Sequence, residues 1–171
     1  MADEKLNFSV RRTITIARPA QELYDLCRSL DAQPHLVPDL EAIEHIDDIR
    51  SRWRLNLRGL GRRQWQAVIS QDEAGHTFTW TTEGDADIAH EGTFIFRAAP
   101  RDLGTEVTLE IRCHLVGGQF TNAMSKIIGR SPEDFISRIL HGLKQLAETG
   151  EVATNEGPSG RHRRRAMAGV K

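Results

Sequence analysis

The sequence predicts an α+β fold: a curved antiparallel sheet of six to seven strands wrapped around one long C-terminal helix, with two short helices after the first strand. Three observations carry this. Apolar residues recur at period two through residues 40 to 116, broken by turn signals at hairpin spacing. A proline-started helical stretch comes after the opening strand, and after Gly117-Gly118 the apolar period becomes helical as far as Gly150. The 171 residues suit one domain, whose core at that length needs no disulfide or metal to hold it. With 39% hydrophobic and 27% charged residues the chain is too apolar for a disordered protein and too polar for a membrane bundle.

In the opening strand Leu6, Phe8, Val10, Ile14 and Ile16 share one parity, opposed by Asn7, Ser9, Arg11, Thr13 and Thr15. Pro19 then starts a helix carrying Leu23, Leu26, Cys27 and Leu30 on one face, and Pro34 and Pro38 confine the next segment to a short helical turn. The alternating runs are Trp53, Leu55, Leu57; Phe78, Trp80, Thr82; Phe94, Phe96; and Val107, Leu109, Ile111, Cys113, Leu115. Turns fall at Asp47-Asp48, Gly59 to Gly61, Glu73 to Gly75, Gly84-Asp85 and Pro100 to Gly104. Phe120, Met124, Ile127 and Ile128 begin the C-terminal helical period. The helix then restarts, with Ser131 as cap, Pro132 in the first turn and Asp134 in the capping-box position. Phe135, Ile139, Leu143 and Leu146 continue the apolar face, with Ile136 and Leu140 beside it.

A sheet with one apolar face must cover it, and the C-terminal helix is the only element long enough. A curved sheet gripping one helix leaves room at its ends, and a space lined by aromatic and aliphatic side chains would be a ligand cavity. The strings Ile14-Thr-Ile-Ala-Arg-Pro-Ala-Gln-Glu-Leu-Tyr24, Leu30-Asp-Ala-Gln-Pro-His-Leu-Val-Pro38, Ser51-Arg-Trp-Arg-Leu55 and Gly104-Thr-Glu-Val-Thr-Leu109 carry a resemblance. With the Ser131-Pro-Glu-Asp start and the Leu143 to Glu151 end of the last helix, the chain resembles the helix-grip superfamily over residues 8 to 150. That superfamily includes START lipid-transfer domains and coenzyme-Q-binding proteins; the resemblance is greatest to the bacterial polyketide cyclase/dehydrase-like proteins. Where relatives commonly carry a bulky aromatic in the second helix, this chain has His35-Leu36-Val37. The resemblance implies an apolar ligand cavity. Because the superfamily mixes carriers with cyclases, it leaves the activity open.

The candidate ligand-binding residues are Trp53, Leu55, Trp65, Phe78, Trp80, Phe94 and Phe96 from the sheet, and Phe120, Met124, Phe135 and Ile139 from the helical stretch. Ordinary core packing is the competing reading for each. Polar residues at inward parity say more, since burying them unpaired costs about 1–3 kcal/mol. Arg12 shares the parity of Val10 and Ile14, His90 that of Phe94 and Phe96, and His45 that of Ile43. They are candidates for orienting an apolar ligand, and His90 and Arg12 are the candidates for acid/base assistance to enolate chemistry. Against this, Arg12 can lie at a solvated strand edge and each histidine can be satisfied by a neighbouring backbone group.

Other chemistries find little support. Pro34 and Pro38 break the helical alignment of Asp31, His35 and Asp39; Asp85, Asp87 and His90 straddle a turn; no His-Glu-x-x-His or paired-cysteine motif occurs, so no metal is expected. No Gly-x-Ser-x-Gly elbow appears, Gly59-Leu-Gly61 lacks the rest of a phosphate loop, and Cys27 and Cys113 read as small hydrophobes. No cofactor is expected. Arginines 50, 52, 54, 58, 62 and 63 form a stripe that reads as a solvated sheet face paired with acids at 39, 41, 44, 47 and 48. The folded domain is expected over residues 1–150, and residues 151–171 read as a flexible basic tail. Five basic residues against two acids fall in that tail, leaving the first 150 residues at −4. The run from Arg161 to Arg165 is a candidate for weak contact with an anionic membrane or a protein, and specific nucleic-acid binding is not expected. The N-terminal residues hold no apolar signal region, so a cytoplasmic location, with peripheral membrane contact through the tail, is the expectation.

The leading functional expectation is therefore binding of a small hydrophobic molecule (a lipid, quinone or polyketide-like compound) between sheet and helix. The alternatives are a cyclase/dehydrase-type enzyme using the same cavity, and an adaptor docking through its basic tail.

Overall fold

The computed structural model describes residues 6–57, 61–86, 89–115 and 131–150. Strand β1 (Leu6–Ile16) leads into α1 (Ala20–Arg28) and α2 (Gln33–Leu36). A meander then runs through β2 (Leu40–His45), β3 (Arg50–Leu57), β4 (Gly61–Glu73), β5 (Thr77–Glu83), β6 (His90–Ala98) and β7 (Thr105–Leu115). Helix α3 (Pro132–Thr149) closes the described chain. The strands form one antiparallel sheet in the order β1-β7-β6-β5-β4-β3-β2, with β1 joined to β7 in an unbroken register that sets Ile14 opposite Val107 and Arg12 opposite Leu109.

Helix α3 has clear ends. The Ser131 hydroxyl accepts from the Asp134 N–H, and Gly150 adopts a left-handed φ of 70° while its N–H bonds to the Leu146 carbonyl. Ile136, Ile139, Leu140, Leu143 and Ala147 are buried on one face. Burying each large aliphatic side chain contributes roughly 1.5–3 kcal/mol. The Arg18 guanidinium, between β1 and α1, donates from Nε to the Ala147 carbonyl at 2.8 Å and so ties the last turn of α3 to the start of α1. Ile16, Leu23, Val107, Leu109, Leu140 and Leu143 are fully buried where α1 and α3 cross the sheet.

Two register shifts alter which residues face inward. In β4, Ile69 pairs with Trp80 but Gln71 pairs with Thr79, so the strand bulges at Ser70. The inward set is Trp65, Ala67 and Ile69 before the bulge, and after it Asp72 joins that face, opposite Phe78. In β2 a similar shift lies between Leu40 and Ala42.

Most of the arginine stripe behaves as a solvated outer face, whereas Arg63 pairs opposite buried Leu55 and so has the inner parity. Arg52 and Arg54 pair with Glu44, Arg62 with Glu41, and Arg50 with both Asp47 and Glu83. Arg58, Asp87, Phe120, Met124 and the basic run from Arg161 to Arg165 lie outside the described residues. No described helix is long and apolar enough to cross a membrane.

Candidate functional site

Between the inner face of the sheet and the three helices lies a cavity of about 170 Å³. The sheet supplies Trp53 and Leu55 from β3, Trp65, Ala67 and Ile69 from β4, Phe78 and Trp80 from β5, and His90 and Phe94 from β6. Val10 of β1 and Leu109, Ile111 and Cys113 of β7 continue the wall, which α3 closes with Phe135, Ile136 and Ile139. All three tryptophans of the chain stand on this wall.

The aromatic side chains are ordered by cross-strand pairing. Phe78 stacks on Phe94 at 6.0 Å with an interplanar angle of 8°, and Trp80 tilts against both at 5.4 and 5.8 Å. Trp80 pairs in register with Gly92, and a Cβ at residue 92 would overlap the indole ring. Glycine there lets the indole lie flat along β6. Trp53 pairs with Trp65, and its Nε1–H donates to the Ser51 hydroxyl at 2.9 Å. The Trp65 ring meets the His90 imidazole edge-on at 5.0 Å and 90°.

Of the predicted set, the structure brings Trp53, Leu55, Trp65, Phe78, Trp80, His90, Phe94, Phe135 and Ile139 onto one wall. Three residues stand elsewhere. Phe96 is buried in the core beyond the cavity, stacked on Phe94 at 6.1 Å and edge-on to Tyr24 at 6.2 Å, because α1 covers that end of the sheet. Arg12 has inward parity but is exposed, since β1 is an edge strand; its Nη1 donates to the neighbouring Arg11 carbonyl at 3.1 Å. His45 is the last residue of edge strand β2, where the sheet runs out into the hairpin tip, and it too is exposed.

The helices add polar groups that sequence reading missed. Gln33 of α2 is buried, lines the cavity and donates from Nε2 to the Cys27 carbonyl at 2.7 Å. Arg28, the last residue of α1, also lines the cavity, with its guanidinium 6.0 Å from the centre of the Phe78 ring. Nε and Nη2 of Arg28 donate to Asp72 Oδ2 at 3.0 and 2.8 Å, and the Tyr24 hydroxyl donates to Asp72 Oδ1. Partial burial works to raise the Asp72 carboxyl, but the hydrogen bonds from Tyr24 and Arg28 outweigh it and hold the group below its ordinary range. Burial, then the bond to Asp72, raises the Tyr24 phenol. Desolvation opposes the Arg28 charge, and the bond to Asp72, helped by the nearby Tyr24 hydroxyl, overcomes it, raising the guanidinium.

The two thiols face the cavity in apolar surroundings, where burial pushes Cys113 up to about 11 and Cys27 higher still. Neither is a thiolate at neutral pH. Among the described residues no group of three or more His, Cys, Asp or Glu side chains is placed to hold a metal ion. Chemically, the site is an aromatic-walled hollow with a guanidinium, an amide and an imidazole at its margin.

A seven-stranded antiparallel sheet curved around a C-terminal helix, with a cavity between them, defines the helix-grip class. The family model for polyketide cyclase/dehydrase and lipid transport matches residues 7–148, and the chain belongs to that family. A solved protein from Deinococcus radiodurans is 30% identical, with 84% of this chain and 100% of that one covered and a TM-score of 0.66. Two more distant structures share the fold. A START superfamily protein from Mycobacterium smegmatis is 12% identical, with 84% and 99% coverage and a TM-score of 0.64. The Zhui aromatase/cyclase from Streptomyces sp. R1128 is 14% identical, with 84% and 94% coverage and a TM-score of 0.61. No curated protein matches the chain.

Proposed function

We propose that the protein binds a small hydrophobic molecule in the cavity between the sheet and α3. The observation that carries this reading is the wall itself: aromatic and aliphatic side chains from six strands and α3 surround unfilled space. An apolar cavity of about 150 Å³ stays dry and accepts a benzene-sized guest, so about 170 Å³ suits a body of one or two fused rings. Burial of such a body contributes about 25 cal/mol per Å² of apolar surface removed from water. The test is extraction of the purified full-length protein followed by mass spectrometry. Recovery of a stoichiometric apolar compound supports the reading. A protein that yields none and also fails to take up naphthalene-sized compounds contradicts it.

A second reading, turnover of the bound molecule, is favoured by one observation: the His90 imidazole stands on the cavity wall, held edge-on against Trp65. A positioned imidazole can move a proton at a bound carbonyl compound. Under this reading His90→Ala abolishes product formation from a carbonyl substrate while changing its affinity less than threefold. A change in affinity alone assigns His90 to binding.

A further inference from the structure

We propose that Arg28 and Asp72 set the polar specificity of the cavity, selecting a ring-bearing ligand with a neutral oxygen acceptor and disfavouring a carboxylate. This rests on the reading of the cavity as a ligand site. Arg28 is the one arginine, lysine, aspartate or glutamate among the described wall residues, and it stands beside the stacked Phe78 and Phe94 rings against which a flat ligand would pack.

The fork of Arg28 is only partly used. Nε and Nη2 converge on a single oxygen of Asp72, and among the described residues Nη1 donates to no protein acceptor. A ligand oxygen at the cavity margin can therefore take a hydrogen bond from Nη1 without breaking the contact to Asp72. The charge at that margin is already balanced. Asp72 is ionised at neutral pH, and both of its oxygens are engaged, one by Arg28 and the other by Tyr24. An incoming carboxylate would be attracted by the guanidinium, opposed by the Asp72 charge on the other edge of the fork, and stripped of strongly held water. A ketone or aldehyde oxygen accepts the same hydrogen bond and gives up far less hydration. The bulge at Ser70 makes this possible, since without it residue 72 would face away from α1.

Three ligands of nearly one shape separate the alternatives: 2-ethylnaphthalene, 2-acetonaphthalene and 2-naphthoate, titrated calorimetrically into the full-length protein and two variants. For the unmodified protein the expected order is ketone, then hydrocarbon, then carboxylate, with the ketone about tenfold tighter than the hydrocarbon, the worth of one hydrogen bond to a charged donor. Arg28→Gln should bring the ketone down to the hydrocarbon's affinity. Asp72→Asn retains the side-chain shape and removes the charge, and should strengthen naphthoate binding about tenfold while moving the ketone less than threefold. Circular dichroism establishes that each variant is folded, and the unmodified protein's own ranking tests the idea even if a variant is not. Binding of the hydrocarbon with no ketone preference, or naphthoate tighter than the ketone, overturns the proposal and leaves the cavity reading intact. Failure of all three ligands overturns both.

Discussion

Asp72 of β4 lies directly opposite Phe78 of β5 and shares its face of the sheet. Two residues earlier in the strand the parity is the reverse, and the bulge at Ser70 makes the change. This one irregularity brings a carboxylate to Tyr24 and Arg28 and so gives an aromatic cavity its polar margin. It also joins α1 to β4.

That junction has a pH signature. Because Asp72 is held below its ordinary range, it contributes stability that is fully present above its unfolded pKa of about 4 and lost as the pH falls through the lower folded value. Asp72→Ala should lower stability by about 1–2 kcal/mol at pH 7. Denaturant titrations should show that deficit shrinking steadily below about pH 4. A deficit unchanged at pH 3 would mean that the carboxylate charge plays no part.

Gly92→Ala should disturb the cavity from behind. The added methyl occupies the space of the Trp80 indole, which must swing away from β6. Overpacking of this kind costs about 1–3 kcal/mol. Tryptophan emission should shift and 2-ethylnaphthalene should bind at least about tenfold more weakly, the equivalent of 1.4 kcal/mol. Unaltered emission and affinity would show that the indole has another place to lie.

Arg12→Ala and His45→Ala should do little. Both residues are exposed on edge strands, away from the cavity. Stability should stay within about 0.5 kcal/mol of the parent, and ligand affinity within twofold. A large loss of binding from either would return that residue to the site.

Cys27 and Cys113 should resist thiol reagents at pH 8, since burial holds both protonated. A ligand seated against them should slow modification further. Rapid labelling of the native protein, unaffected by ligand, would show that the cavity opens far more readily than its packing implies.

Much of this molecule can be read from residue order. Period-two alternation in β3, β5, β6 and β7 is regular enough to assign inner faces, and the cap at Ser131 marks the start of α3. Nine of the predicted wall residues meet around one cavity for that reason. The features that escape sequence reading have physical causes. A bulge inverts parity without leaving a residue signature, so Asp72 reads as an outward residue and its partner Arg28 as an ordinary surface charge at a helix end. Parity also carries no information about edges, where Arg12 and His45 reach water, nor about the end of the sheet that α1 covers, where Phe96 joins the core. Trp65 follows the doubled arginines at 62 and 63 in a run of uneven parity, and it stands on the wall as expected.

Uptake of an apolar ring compound by the cavity is the point on which the ligand-binding predictions depend. Because every tryptophan in the chain stands on the cavity wall, intrinsic fluorescence reports occupancy directly. Titration of the full-length protein with 2-ethylnaphthalene should quench that emission along a saturable curve with one site per chain. Quenching that rises linearly without saturation, equal to that of free tryptophan under the same conditions, would contradict ligand binding between the sheet and α3.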